Sequence, residues 1–366
     1  MKWLLRISGG LFTLLFLAVA VLAIVIGYTA PCESVAAGTT GEDRMSAIVY
    51  RCYGSPEVLA LEDVEKPSPG DTEVLVKVRA ASVNPLDWHY MRGSPYFMRL
   101  GAGIGSPDDI RLGVDFAGTV EAIGDKVPNF NVGDRVFGGR TGAFAEYVLV
   151  PEDRAIAHIP ESVTFEQAAS LPIAALTALQ ALRDKGDLQP GQKVLINGAS
   201  GGVGTFAVQI AKSMGAEVHG VCSTRNVELV ASLGADKVWD YKKEDYTQSD
   251  ERYDLIVDMV GNHSLSKNRR VMSAEGRLVI VGGPSGNWIG PLKRPLAAML
   301  LGSFVDQQLI LLLAQLKQDD LNEVAALVSD GVVQPVIDRR FSLEDVPAAI
   351  RYSEEGRARG KILIEF

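Results

Sequence analysis

The run Gly198-Ala199-Ser200-Gly201-Gly202-Val203-Gly204 has the residue types needed to hold a pyrophosphate against the main chain. It follows a short apolar, β-rich stretch, Lys193 to Asn197 (KVLIN). After it comes a segment with Phe206, Val208, Ile210 and Ala211 at helical spacing. A strand, a tight turn and a helix start in that order present free backbone N–H groups and the positive end of a helix dipole to an anion. Small residues let the anion come close. Ala199 stands where a strict G-x-G-x-x-G pattern has its first glycine, so the strand–turn–helix context carries this reading. The bland alternative is a turn that needs glycine only for packing. The next β-rich run, Glu217 to Cys222 (EVHGVC), ends in Ser223-Thr224-Arg225-Asn226, with no acid before Glu228. An NAD site usually places Asp or Glu there for the ribose 2′-hydroxyl, whereas a 2′-phosphate wants hydroxyls and a cation. NADPH is therefore expected over NADH, with a merely solvated Arg225 as the alternative.

These residues need a parallel sheet around them, and the sequence supplies further α/β units. Tyr253 to Met259 (YDLIVDM) passes through Asp258 into Val260-Gly261-Asn262, and Arg277 to Val281 (RLVIV) ends in Gly282-Gly283. Loops after strand C-termini are where a doubly wound sheet holds its ligand. Residues 45–165 differ: short alternating runs such as Glu73 to Val78 and Gly118 to Ile123 are broken by Gly, Pro and Asp turns. Two more strands are expected at 133–137 and 142–148, giving a small barrel-like domain. The apolar run Leu309 to Ala314 reads as a buried or edge strand of the cofactor sheet, or else as a membrane contact. A helix is expected over 319–329. The whole chain, 366 residues with 47% hydrophobic and 22% charged, suits two globular domains. Its net charge of −9 and lack of a basic run argue against nucleic-acid binding. Three scattered cysteines, Cys32, Cys52 and Cys222, argue against a disulfide scaffold or a structural zinc; Cys222 reads as packed rather than reactive.

Several ordered motifs resemble the medium-chain dehydrogenase/reductase superfamily, and within it the zinc-independent quinone oxidoreductase branch. They are Ala81 to Asp87 (ASVNPLD), Gly113 to Gly118 (GVDFAG), Asn131 to Val136 (NVGDRV), Leu171 to Ala178 (LPIAALTA), the loop at 199–204, and the ending Gly360 to Ile364 (GKILI). The resemblance covers about residues 45–366. It implies an α/β Rossmann doubly wound parallel sheet at 166–334, plus a GroES-like β-barrel-type catalytic domain from 45–165 and 335–366. It also implies that Ala199, Ser200, Gly201, Gly202 and Val203 hold the pyrophosphate, and that Ser223, Arg225 and Tyr241 hold the 2′-phosphate. Thr177 and the backbone near Gly282 would contact the nicotinamide end, with Asp258 and Gly261 on the cofactor side and Gly360 and Lys361 approaching from the C-terminal segment. Where zinc alcohol dehydrogenases of this superfamily carry Cys, Gly-His-Glu and a later Cys, this chain has Asn84, Gly113-Val114-Asp115 and no suitable Cys. His89, His158, His219 and His263 do not replace them, so no catalytic metal is expected. The cleft candidates are Asn84, Asp87, His89 and Tyr96, with Asn84 as amide donor and His89 or Tyr96 passing a proton.

The expected activity is hydride transfer from NADPH to a quinone or to the β-carbon of an α,β-unsaturated carbonyl, both of which delocalise the charge that develops. Two rivals remain at this level: a tethered NADPH-binding sensor or trafficking protein with little catalysis, and a 2-enoyl thioester reductase. The expected partner is a small-molecule acceptor, with a homodimer paired through an edge strand as a further expectation.

The first 30 residues differ in composition from the rest. Ile7 to Tyr28 contains 22 residues without a charge, about 33 Å as a helix, enough for a hydrocarbon core of about 30 Å. Tyr28 and Pro31 spoil the obvious signal-peptidase site and leave only a weaker one near Val35-Ala36-Ala37, so an uncleaved transmembrane anchor over 1–30 is expected over a cleaved signal peptide, followed by a polar linker at 31–44. Lys2 and Arg6 before the span and Glu33, Glu42 and Asp43 after it point the bulk away from the cytoplasm. An NADPH site points to the cytoplasmic face, which is the expectation retained.

Overall fold

The computed structural model describes residues 16–18, 20–32, 43–284, 286–288 and 290–366. The strands, in chain order, are β1 (Arg44–Val49), β2 (Ala60–Glu65), β3 (Glu73–Val83), β4 (Asp115–Ile123), β5 (Arg135–Gly139), β6 (Tyr147–Pro151) and β7 (Ile156–His158). There follow β8 (Lys193–Asn197), β9 (Glu217–Cys222), β10 (Lys237–Asp240), β11 (Tyr253–Asp258), β12 (Met272–Ile280), β13 (Gln308–Leu311), β14 (Ile337–Ser342) and β15 (Lys361–Glu365).

One sheet is parallel throughout, in the order β10-β9-β8-β11-β12-β13. Its central strands read as near-continuous apolar runs because helices cover both faces, as in β8, where Val194, Leu195 and Ile196 are buried. The chain reverses direction of winding between β8 and β11, so the crevice beyond the C-termini of these two strands is the expected ligand site. Residues 309–311 of the apolar run fall in β13, an edge strand of this sheet.

The other sheet runs β14-β15-β3-β4-β5-β7, with β6 paired to β3. Strand β3 is longer than the run at 73–78 suggested. It continues through Ala81, Ser82 and Val83, which carry side chains for the site. The strand expected at 142–148 starts only at Tyr147, because Gly142 has φ +95° and the following residues bond across to Leu112 and Gly113. The C-terminal strand β15 pairs antiparallel with β3, Ile362 opposite Val83, so the last residues complete the barrel sheet. Ile362, Ile364, Val346 and Ile350 join its core beside Phe116, Phe144 and Val76.

The N-terminal expectation is corrected. Among the described residues no helix is long and apolar enough to cross a membrane. Residues 7–15 and 19 of the expected span, and 33–42 of the expected linker, lie outside the described residues. Helical turns over 16–18 and 20–27 end against the barrel domain instead. The Arg99 guanidinium donates to the carbonyls of Ile26 (3.1 Å) and Tyr28 (2.7 Å), where a cation suits the negative end of a helix. Ala30 N–H donates to Gly105 O, Trp288 packs on Gly27, and a disulfide joins Cys32 to Cys52. The single-pass anchor, and with it the assignment of a membrane face to the catalytic domain, is not supported. Uncharged composition alone did not distinguish a lipid-facing span from a segment whose end packs on its own domain. Cys222 is buried, and burial pushes its thiol up to about 11.

Candidate active site

The two sheets border a cleft of about 970 Å³. Its floor is the turn after β8, where Ser200, Gly201, Gly202, Val203 and Gly204 line it. Gly198 takes φ +95°, and the helix Gly202–Ser213 starts beside it. A Cβ on Gly204 would sit 2.1 Å from Gly198 O, so only glycine lets this helix start so close to the strand end. Ala199 is fully buried and supports the turn from below, its N–H donating to Val221 O (3.0 Å).

Behind the turn lies a buried polar network. Asn197 Nδ2 donates to Asp258 Oδ1 (2.8 Å) and Asn262 Oδ1 (2.9 Å), and the N–H groups of Val260 and Gly261 donate to Asp258. Arg294 pairs with the same carboxylate. Asp258 thus shapes the 259–262 loop, and Met259, Val260 and Asn262 reach the cleft while Asp258 and Gly261 do not. Gly282 is held by its N–H to Asp258 O (3.2 Å) and also lies outside the lining.

At one end of the turn, Ser223, Thr224, Arg225 and Tyr241 line the cleft. Three basic residues that sequence reasoning missed join them. Lys242 and Arg357 line the same end. Arg359 holds it together, donating to Asn226 Oδ1 (2.7 Å) and Arg225 O (2.5 Å), while Arg225 donates to Arg357 O (2.5 Å). The sequence carried a signal, three basic residues at Arg357, Arg359 and Lys361, but only the return of β15 brings them here. Gly360 N–H donates to Ser200 O (3.0 Å), and a Cβ on Gly360 would lie 2.2 Å from Val336 O.

At the other end, Val83, Asn84, Pro85, Ile173, Ala174 and Lys361 form the lining. Thr177 stands one turn below Ile173, its hydroxyl donating to Ile173 O (2.6 Å), and is not itself in the lining. Asn84 caps the helix Pro85–Arg92, and its backbone N–H donates to Asp87 Oδ2 (2.7 Å). Its side chain is fully engaged: Nδ2 donates to Asp115 Oδ2 (2.8 Å) and Oδ1 accepts from Lys361 Nζ (2.6 Å). Asp115 also accepts from Ser82 Oγ (2.9 Å) and Ile173 N (3.1 Å), which ties barrel to helix. Burial pushes Asp115 up and Lys361 down, each opposed by the other's charge.

Asp87 is fully buried behind Asn84 and outside the lining. Burial pushes its carboxyl up to about 8, and its Oδ1 has no partner among the described residues, the arrangement of a protonated acid. His89 Nδ1 lies 2.6 Å from Ser94 O beneath Trp88, and burial lowers its pKa. Tyr96 stacks edge-on against Trp288 and over Arg99, and its N–H donates to Asn287 O (2.7 Å). His89 and Tyr96 thus lie outside the lining; Tyr96 joins the barrel to the loop after β12.

The proton on Asp87 makes the stability of the fold depend on pH. A carboxyl raised from 3.8 to about 8 keeps its proton in the folded state across that window while the unfolded chain loses it. Its contribution is complete at low pH and is lost as pH rises toward 8, by up to about 1.4 kcal/mol per pH unit. Asp87→Asn, which keeps the acceptor for Asn84 N–H, should gain stability in urea relative to the parent steadily as pH rises from 5 to 8. Parallel pH dependences in the two proteins would rule out a protonated Asp87.

Residues 70–161 match the family model described as alcohol dehydrogenase GroES-like domain, and residues 233–364 the one described as zinc-binding dehydrogenase. The chain is 35% identical to the chloroplast envelope quinone oxidoreductase homolog of Arabidopsis thaliana, covering 88% of this chain and 98% of that one. It is 33% identical to the quinone oxidoreductase of Homo sapiens, covering 89% and 99%. The solved quinone oxidoreductase from Coxiella burnetii superimposes with a TM-score of 0.79 at 32% identity, covering 88% and 99%. A dinucleotide-type turn at the switch point, a barrel completed by the C-terminal strand, and likeness over the full length of these relatives agree. The chain is an oxidoreductase and belongs to the quinone oxidoreductase family of the medium-chain dehydrogenase/reductase superfamily.

Proposed function

We propose that the protein is an NADPH-dependent reductase that works without zinc and reduces a quinone or the double bond of an α,β-unsaturated carbonyl. The carrying observation is the charge of the cleft. Arg225, Lys242, Arg357 and Lys361 line it, and no carboxylate does among the described residues, in a chain of net charge −9. That polarity suits a dinucleotide bearing a pyrophosphate and a third phosphate, and Ser223 stands where an NAD site carries an acid. When bound, the dinucleotide supplies the hydride. The residues present would hold it with Ser200 to Val203 on the pyrophosphate and Arg225, Lys242 and Arg357 around the 2′-phosphate.

The description of one matching family model implies zinc. The residues at the place in question are Asn84 and Asp115, with the Lys361 ammonium 2.6 Å from the Asn84 oxygen and 3.4 Å from the Asp115 carboxylate. An ammonium there repels a divalent cation and takes the lone pairs a metal would use, so these residues do not fit zinc. The acceptor class follows from the same point: without a Lewis acid, hydride transfer favours acceptors that delocalise the incoming charge. The quinone oxidoreductases among the relatives support the same class.

The test is cofactor consumption by the full-length protein with benzoquinones, short enals and enones, with EDTA present and absent. At least one acceptor should oxidise NADPH faster than NADH by about tenfold or more, with no loss in EDTA. Binding of NADPH with no acceptor-dependent oxidation across the panel would sink the reading in favour of a sensor.

A further inference from the structure

Lys361 is 2% exposed, yet it sits at the cleft and belongs to no surface network. Burying an ammonium costs several kcal/mol unless its partners are well placed, and among the described residues only one is close. Nζ lies 2.6 Å from Asn84 Oδ1, but 3.3 Å from Val83 O and 3.4 Å from Asp115 Oδ2. The two long contacts are weak hydrogen bonds, replaceable by a better acceptor. The stem explains how the head is aimed. β15 begins where Gly360 bonds to Ser200 O, and Lys361 Cδ passes within 3.4 Å of where a Cβ on Gly202 would stand. The side chain therefore crosses from the pyrophosphate turn to Asn84, away from the end bearing Arg225, Lys242 and Arg357. It borders the cleft together with Ile173 and Ala174, on the side left for the reacting part of the cofactor and its acceptor.

We propose that Lys361 is a catalytic residue, the proton donor to the acceptor oxygen; this rests on the reductase reading above. As the hydride's electron pair forms the new C–H bond at the β-carbon of an enone, the C=C π pair shifts to close the enolate and the carbonyl π pair moves onto oxygen. One N–H bond of Lys361 breaks, its electron pair stays on nitrogen, and the proton goes to that oxygen to give the enol, which becomes the ketone in water. With a quinone, the proton goes to the oxygen of the hydroquinone anion. The neutral amine recovers a proton from solvent once product has left, so the sum is one hydride and one proton per acceptor. Asn84 positions the ammonium, and Asp115 and Asp87 are the titratable groups that face it, Asp87 in its protonated form. Burial lowers the lysine's pKa, which makes the ammonium a better acid than a surface lysine.

The experiment compares the full-length protein with Lys361→Gln and Lys361→Arg. Tryptophan and NADPH fluorescence should give NADPH dissociation constants within about threefold of the parent, while kcat for an enone falls about 100-fold or more in both. The arginine variant tests the step itself, because a guanidinium keeps the charge but does not release its proton. Methylammonium should partly restore kcat in the glutamine variant. The high-pH limb of the parent's kcat/KM profile should be absent from both variants. Independently of turnover, 15N-lysine NMR should show one Nζ, missing in the glutamine variant, that titrates below the ordinary lysine value. Full kcat in the arginine variant, no amine rescue with an unchanged pH limb, or an ordinary titration would each overturn the proposal. If the parent turns over and the variants match it, Lys361 is excluded and the reductase reading stands. If the parent reduces nothing while binding NADPH, both fall.

Discussion

Arg225→Ala should weaken NADPH binding by roughly 10- to 100-fold and leave NADH binding within about twofold, measured by fluorescence titration at fixed salt. The estimate follows from losing charge-assisted hydrogen bonds to a phosphate, each about 1.5–3 kcal/mol, with about 1.4 kcal/mol per tenfold. Arg225 is exposed at the cleft rim, its backbone carbonyl held by Arg359 and its guanidinium resting on Arg357 O. The loop is therefore already ordered for a phosphate, and little needs to be immobilised on binding. Exposure also means screening, so the NADPH preference should shrink as salt rises. Equal losses for the two dinucleotides would place Arg225 outside the 2′-phosphate site. No loss for either would reduce it to a solvated surface arginine, the bland reading of the sequence.

Gly204→Ala is expected to be the most damaging single methyl in the cofactor domain. The added carbon would stand 2.1 Å from Gly198 O and 2.7 Å from Ala199 Cα, both backbone atoms of the turn itself. No side chain can swing away, so the helix Gly202–Ser213 must move off β8 or the turn must deform. Overpacking of this kind costs about 1–3 kcal/mol, and more where backbone is the obstacle. Thermal unfolding should occur several degrees lower, and NADPH affinity should fall at least about tenfold because the N–H groups of the turn no longer converge. Gly201→Ala is the contrast: a Cβ there meets Gly198 O only at 3.5 Å, an ordinary contact. It should fold like the parent. Equal stability of the two variants would show that the close approach at Gly204 is not what holds the turn.

The cofactor half of the site was legible because its signals are local. The β8 run, the glycine turn and the Ser223-to-Arg225 segment lie within about thirty residues of one another in sequence, and a βαβ unit places them together by its own geometry. The reacting end was only half legible. Asn84 and Asp87 were named as independent cleft groups, but they share a helix cap, and Asp87 faces inward beneath it. His89 and Tyr96 were chosen for their proton chemistry, and both are spent on local packing and on the contact with the loop after β12. The N-terminal segment misled for a related reason. Twenty-two uncharged residues meet the length rule for a span, while Arg99, Gly105, Trp288 and Cys52, which receive its end, lie up to some 260 positions away.

By itself, then, the sequence determined the parallel cofactor sheet, the barrel-like partner, the dinucleotide turn and the family, because hydrophobic period, turn glycines and motif order are properties of short stretches of chain. Tertiary structure alone decided which charges meet. Lys361 and Asn84 are 277 positions apart, yet 2.6 Å separates their polar atoms. Arg357 reaches the end of the cleft bearing Arg225 only because β15 turns back past Ser200. A contact between side chains so distant in sequence leaves no periodic mark on either segment. It exists only once the two sheets have closed the cleft between them.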